Sequence, residues 1–167
     1  MFTKEQVARA IDHAVLKPFA TDADVDAGAR MCGARGVGSL CVRPTDVKRA
    51  AEALRGSACR PSAVVGFPHG HSRPEVKALE ARLAIEDGAA EIGMVLNLGK
   101  FLSGGAGHVQ RDIAAVVAEA RPKGVPVKVI LETCYLKPEQ IAQACRIAEA
   151  AGADFVKTST GFGSGPA

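Results

Sequence analysis

Short apolar runs alternate along this chain with longer stretches in which apolar residues recur every third or fourth position. The short runs lie at residues 11–16, 38–42, 63–65, 91–98, 125–131 and 154–157, and they read as strands. The longer stretches read as helices. Thr21 caps one that reaches to about Arg35, with Asp22, Asp24 and Asp26 near its positive end and Gly36 as its stop. Pro44 starts another that runs to about Leu54. Ser72 and Glu75 have capping-box spacing, and Val76, Leu79 and Leu83 predict the apolar stripe of a helix ending at Gly88. Val109, Ile113, Val116 and Val117 mark one face of a helix after a glycine-rich loop at 103–107. Ile141, Ala144, Cys145 and Ala148 mark the inward face of a helix over 137–151.

Strands alternating with helices predict βα units on a parallel sheet. Two architectures compete. A doubly wound sheet that binds a nucleotide carries a glycine-rich turn after its first strand. Here Lys17-Pro18-Phe19-Ala20 stands at that place. A (β/α)8 barrel gathers polar residues at the C-terminal ends of many strands. That is the pattern of Asp12 and His13, Cys41 and Arg43, His69, Asn97, Glu132 and Thr133, and Lys157. Such barrels run to about 250 residues and eight units. The expectation is therefore an α/β chain of the TIM-barrel type truncated to about six βα units, residues 1–167 forming one partial barrel domain.

Composition adds limits. The chain is 47% hydrophobic, with six Phe, one Tyr and no Trp, so Ala, Val, Leu and Ile must build the core. The net charge is +3 and no basic run occurs, which argues against a nucleic-acid partner. A small anion needs only local positive charge. The five cysteines are odd in number and form no CxxC pair, so reduced thiols are expected in place of disulfides or a zinc site. His69 and His71 have no Cys or acid at ligand spacing, so neither a metal nor another cofactor is expected. The N-terminal residues lack an apolar signal core, and no apolar run approaches membrane-spanning length. A cytoplasmic protein without a membrane partner is the expectation.

The stretch richest in chemistry is Asp154-Phe155-Val156-Lys157-Thr158-Ser159-Thr160-Gly161-Phe162-Gly163-Ser164. A lysine held among apolar groups at a strand end loses solvation, and its amine becomes a nucleophile near neutral pH. The hydroxyls and free N–H groups of the following turn suit a phosphate. The alternative is a solvated lysine followed by a polar tail. Lys128 and Glu132 fall on one strand face by alternation, which suggests mutual neutralisation.

Read together, these strand ends resemble the deoxyribose-phosphate aldolases, class I (Schiff-base) aldolases of barrel fold. The matching stretches are Ile11-Asp12-His13 with Leu16-Lys17-Pro18, Cys41-Val42-Arg43-Pro44, Gly66-Phe67-Pro68-His69-Gly70, Glu75-Val76-Lys77, and Val127-Lys128-Val129-Ile130-Leu131-Glu132-Thr133. To these is added the segment Gly152-Ala153 that leads into the Lys157 stretch, which matches the family's Schiff-base signature. The resemblance implies reversible cleavage of 2-deoxyribose 5-phosphate to glyceraldehyde 3-phosphate and acetaldehyde. It makes Lys157 the Schiff-base lysine, Asp12 a carboxylate of the polar site network, Cys41 a residue near the substrate, and Thr160 and Gly161 the start of the phosphate-binding loop.

Two departures stand beside the matches. The family's strand-four motif carries an aspartate for proton transfer, and Gly93 occupies that position here, with Ala90 where an acid is usual. The family's second lysine and further phosphate-binding residues lie beyond strand six. The resemblance thus implies an aldolase acting on a small phosphorylated sugar. The alternative is a truncated, non-catalytic member with at most weak phosphosugar binding or self-association. Open sheet edges point to a homo-oligomer or a self-associating chain.

Overall fold

The structure, a computed structural model, describes residues 1–165. Its residues fall into two compact units, Met1–Val64 with Ala84–Glu91, and Val65–Leu83 with the chain from Ile92 onward.

The first unit opens with α1 (Lys4–Arg9), followed by β1 (Asp12–Val15), α2 (Asp22–Arg35), β2 (Ser39–Val42), α3 (Val47–Ala53) and β3 (Arg60–Val65). β1 pairs in parallel with β2, and β2 in parallel with β3. α2 forms where its cap predicts. The Asp24 N–H donates to the Thr21 hydroxyl oxygen at 3.3 Å, and the Thr21 N–H donates back to the Asp24 carboxylate at 2.7 Å. Gly36 then takes a left-handed φ of 66° and ends the helix. Val25, Ala29 and Cys32 of α2 are buried with Leu40 and Val42 of β2. Each such Val or Leu contributes about 1.5–3 kcal/mol by leaving water. α1 was not expected from the sequence, although Thr3 and Gln6 close a reciprocal capping box there. Pro44 opens a 3₁₀ turn, Pro44–Asp46, before α3 begins.

α4 (Pro74–Glu86) and β4 (Glu91–Val95) lead into α5 (Leu98–Leu102), α6 (Ala106–Ala120), β5 (Val127–Ile130), α7 (Pro138–Ala150) and β6 (Phe155–Lys157). β4 pairs in parallel with β5, and β5 in parallel with β6. Val109, Ile113, Val116 and Val117 of α6 are buried as their spacing predicts. On α7, Ala144 and Ala148 are buried while Ile141 and Cys145 are half-buried. β4 stops earlier than the apolar run suggests, because the Asn97 side chain accepts the Lys100 N–H at 3.2 Å and starts α5.

α4 buries a different face from the one expected. Val76, Leu79 and Leu83 are about half exposed, while Lys77, Ala81 and Ala84 are inside. The helix also starts at Pro74, past the Ser72 cap. The buried lysine is held by two partners. Its Nζ donates to Asp112 Oδ2 at 2.6 Å and to the Val95 carbonyl at 2.9 Å. Burial pushes the Lys77 pKa down, and the bond to Asp112 opposes that shift. Gly66 lies against this side chain. Its φ is 62°, and a Cβ there would sit 2.7 Å from Lys77 Cε. A lysine pinned at its head cannot swing away, so only glycine fits.

Candidate active site

In the second unit the loops that follow β3, β5 and β6 line one cleft of about 80 Å³. Pro68 and His69 come from the first loop, Glu132 and Tyr135 from the second, Thr160, Phe162 and Gly163 from the third. This is the C-terminal side of a parallel sheet, where such folds place their chemistry.

Lys157 is the last residue of β6 and the register partner of Ile130. Its carbonyl accepts the Leu131 N–H at 2.9 Å, and the Thr158 carbonyl accepts the Thr133 N–H at the same distance. The backbone around the lysine is thus fixed. Its side chain is exposed, with Phe155 at 55% and Val156 at 46% exposure beside it in the strand. Among the described residues no apolar enclosure surrounds it, contrary to the expectation. β6 pairs with β5, and among the described residues the apolar side chains of β6 are left half open. Register places Gly93, Lys128 and Phe155 in one row and Val95, Ile130 and Lys157 in the next, on the same face. Gly93 is buried and contributes no side chain to that face.

Thr160 and Gly161 form the turn after Lys157. Gly161 has a φ of 82°, a conformation open to glycine at little cost. Thr160 is buried and directed at Glu132. Its N–H donates to Glu132 Oε1 at 3.1 Å, and its hydroxyl donates to Oε2 in a very short bond. The Phe162 N–H donates to Thr160 Oγ1 at 3.0 Å, and the Phe162 ring packs edge-on against Phe67 at 5.3 Å. The carboxylate of Glu132 is therefore engaged by Thr160, in contrast to the expected pairing with Lys128. Glu132 escaped sequence reasoning as a loop organiser because its partner lies in a loop 28 residues away.

Asp12 and Cys41 lie in the first unit. Asp12 begins β1, and its Oδ1 accepts the Ser39 hydroxyl at 2.6 Å. Cys41 lies two residues beyond Ser39 on the same face of β2, half-buried. Ser62, the register partner of Cys41, donates to Glu91 Oε1 at 3.4 Å. Asp12, Ser39, Cys41 and Ser62 thus share one polar strand face. Ser39 and Ser62 were missed, although polar residues at alternate strand positions were the available signal. Arg43, another strand-end candidate, is committed to the fold. It pairs with Asp46 at 2.6 Å and donates to the carbonyls of Lys17, Pro18 and Ala20.

Parallel strands with polar residues beyond their C-terminal ends place this chain in the class of TIM-barrel-like α/β proteins, and solved aldolases match it across that whole pattern. A deoxyribose phosphate aldolase from Aeropyrum pernix, described as tetrameric, superposes with a TM-score of 0.89 at 32% identity, covering 96% of this chain and 67% of that one. A deoxyribose-phosphate aldolase from Aciduliprofundum boonei is 48% identical over 95% of this chain and 72% of its own length. One from Thermococcus gammatolerans is 48% identical over 96% of this chain and 72% of its own length. The model of the DeoC/LacD family aldolases matches residues 6–166. The chain belongs to this family, the DeoC/LacD aldolases, and is by family a carbon–carbon lyase. No helix among the described residues is long and apolar enough to cross a membrane.

Proposed function

We propose that this chain acts on 2-deoxyribose 5-phosphate, cleaving it reversibly to glyceraldehyde 3-phosphate and acetaldehyde through a Schiff base at Lys157. The observation that carries this reading is the placement of Lys157 at the end of a parallel strand, immediately before the Thr160–Gly161 turn. The Lys157 amine adds to the aldehyde carbon of the open-chain sugar, and water leaves to give a protonated imine. A base takes the proton of the C3 hydroxyl, and the C2–C3 bond breaks. Its electrons pass to the imine as an enamine, and glyceraldehyde 3-phosphate departs. Protonation of the enamine carbon and hydrolysis release acetaldehyde and the free amine. The resemblance to the family assigns Asp12 to the polar network that handles these protons, Cys41 to the surroundings of the sugar, and the Thr160–Gly161 turn to the phosphate. No metal or cofactor enters this scheme.

Gly93 supports a second reading, in which the chain binds a phosphosugar or forms the imine but turns over little. A positioned acid–base group contributes about 10²- to 10⁴-fold, and the buried register partner of Lys128 offers none. The chain is read here as part of one aldolase barrel domain, since the family match runs from residue 6 to residue 166. It is also read as cytoplasmic and self-associating. The exposed α4 row of Val76, Leu79 and Leu83 supplies an apolar surface for a second copy.

A coupled assay for glyceraldehyde 3-phosphate, run on this chain and on Lys157→Ala, tests the proposal. Cleavage that disappears in the variant supports it. Equal rates in both reject it.

A further inference from the structure

Glu132 stands out in the second unit for three reasons. It is the one non-glycine residue with positive φ among the described residues, at 54°. It is buried, with 4% of the residue exposed. Both carboxylate oxygens are directed at Thr160. A left-handed backbone at a side-chain-bearing residue is retained only where surrounding contacts over-determine it. Here those contacts are the N–H and hydroxyl of a residue three positions beyond Lys157.

The consequence for Thr160 is chemical. A threonine offers one N–H and one hydroxyl proton. Both are given to Glu132, and the hydroxyl oxygen also accepts the Phe162 N–H. Thr160 therefore has no proton left for an incoming anion. The loop also closes tightly on the same carboxylate. A Cβ at Gly163 would lie 3.0 Å from Glu132 Cδ and 2.8 Å from Cys134 Sγ. Residues 160–163 are thus wrapped around one buried acid.

We propose that Glu132 is a positioning residue that shapes the turn at 160–163 for the substrate's phosphate, and that Thr160 serves as its partner and makes no direct contact with the phosphate. This rests on the reading of that turn as phosphate-facing. The Phe162 N–H is taken by Thr160 Oγ1, which leaves the N–H groups of Gly161 and Gly163 in the fixed turn to meet the anion. Each Glu132 oxygen already accepts a hydrogen bond from Thr160, which turns the carboxyl group towards the loop's own donors.

The experiment is a calorimetric titration of 2-deoxyribose 5-phosphate and of unphosphorylated 2-deoxyribose. It uses the full chain carrying Lys157→Ala, so that no imine contributes. Borohydride capture at Lys157 in the unaltered chain reports on the aldolase reading separately. Glu132→Gly suits the left-handed backbone but removes the whole buried side chain, so its fold is checked by circular dichroism and the isosteric Glu132→Gln serves as the variant that keeps the packing. Glu132→Gly is expected to weaken the phosphorylated sugar about tenfold, the scale of one lost charge-assisted hydrogen bond. The unphosphorylated sugar is expected to be unaffected. Thr160→Val should match that loss, Thr160→Ser and Glu132→Gln should recover most of it, and the Glu132→Gly/Thr160→Val pair should be no worse than either alone. Equal loss for both sugars, additive losses in the pair, or no preference for the phosphorylated sugar before mutation would overturn the proposal.

Discussion

Lys77 Nζ lies 2.6 Å from Asp112 Oδ2, and both side chains are fully removed from solvent. The pair joins α4 to α6 within the second unit. Among the described residues Asp112 Oδ1 has no hydrogen-bond partner, so the pair is held by one strong contact and the Lys77 bond to Val95. Burial pushes the Asp112 pKa up from its ordinary value, and the bond to Lys77 opposes that shift.

Removing one member of such a pair leaves an uncompensated buried group. Lys77→Met should cost about 3–5 kcal/mol, whereas Lys77→Met with Asp112→Leu should cost far less than the single change. The single variant should also be strongly pH-dependent. Without Lys77, the Asp112 pKa rises further above its unfolded value. A group raised in the folded state contributes its stability below the unfolded pKa and loses it as pH climbs through the folded one. Lys77→Met should therefore approach the parent in acid and fall behind it towards neutral pH. Urea unfolding at a series of pH values measures this, and a constant difference across the range would refute it.

The five cysteines divide by environment. Cys32 is pushed up to about 12 by burial and then by neighbouring Cys59, whose own thiol is raised by burial as well. A thiol so far from ionisation is a poor nucleophile. Under native conditions near pH 8, a maleimide should modify half-buried Cys41, Cys134 and Cys145 well before Cys32 and Cys59. Mass mapping of the labelled chain reads the order, and early labelling of Cys32 would contradict this packing.

The difference between α2 and α4 shows what was legible in the sequence. Thr21, Asp24 and Gly36 determine α2 through contacts within a few residues, so its ends could be read directly. α4 could not be read that way. Its apolar residues Val76, Leu79 and Leu83 face outward because Lys77 is drawn inward by Asp112, 35 residues later. No local periodicity reports such a partner. α5 was lost inside an apolar run because its start depends on one Asn97 cap. At the candidate site, Lys157, Thr160 and Gly161 were visible as a motif. Glu132 was legible as a strand-end carboxylate but was assigned to Lys128; its bond to Thr160 was not legible, since that follows from a left-handed backbone and a contact to another loop. The exposure of Lys157 was likewise beyond the sequence, because an apolar strand pattern does not show whether anything covers it.

Gly93 predicts a division between steps. Imine formation needs an accessible amine, whereas bond cleavage needs a positioned proton acceptor and donor. Capture of an aldehyde at Lys157 should therefore outpace cleavage by at least about 10²-fold, the lower bound for one missing acid–base group. Gly93→Asp should change cleavage without changing capture. Rapid-quench experiments with deoxyribose 5-phosphate separate the two rates, and equal rates in the unaltered chain would show that another group has replaced the absent carboxylate.

The central claim is that Lys157 is the nucleophile. Incubation of the unaltered 167-residue chain with acetaldehyde and borohydride, followed by peptide mass mapping, tests it most directly. A stable adduct concentrated on Lys157 is expected, reduced in the presence of deoxyribose 5-phosphate and missing from Lys157→Ala. Label spread evenly over the exposed lysines, with no excess at Lys157, would contradict it.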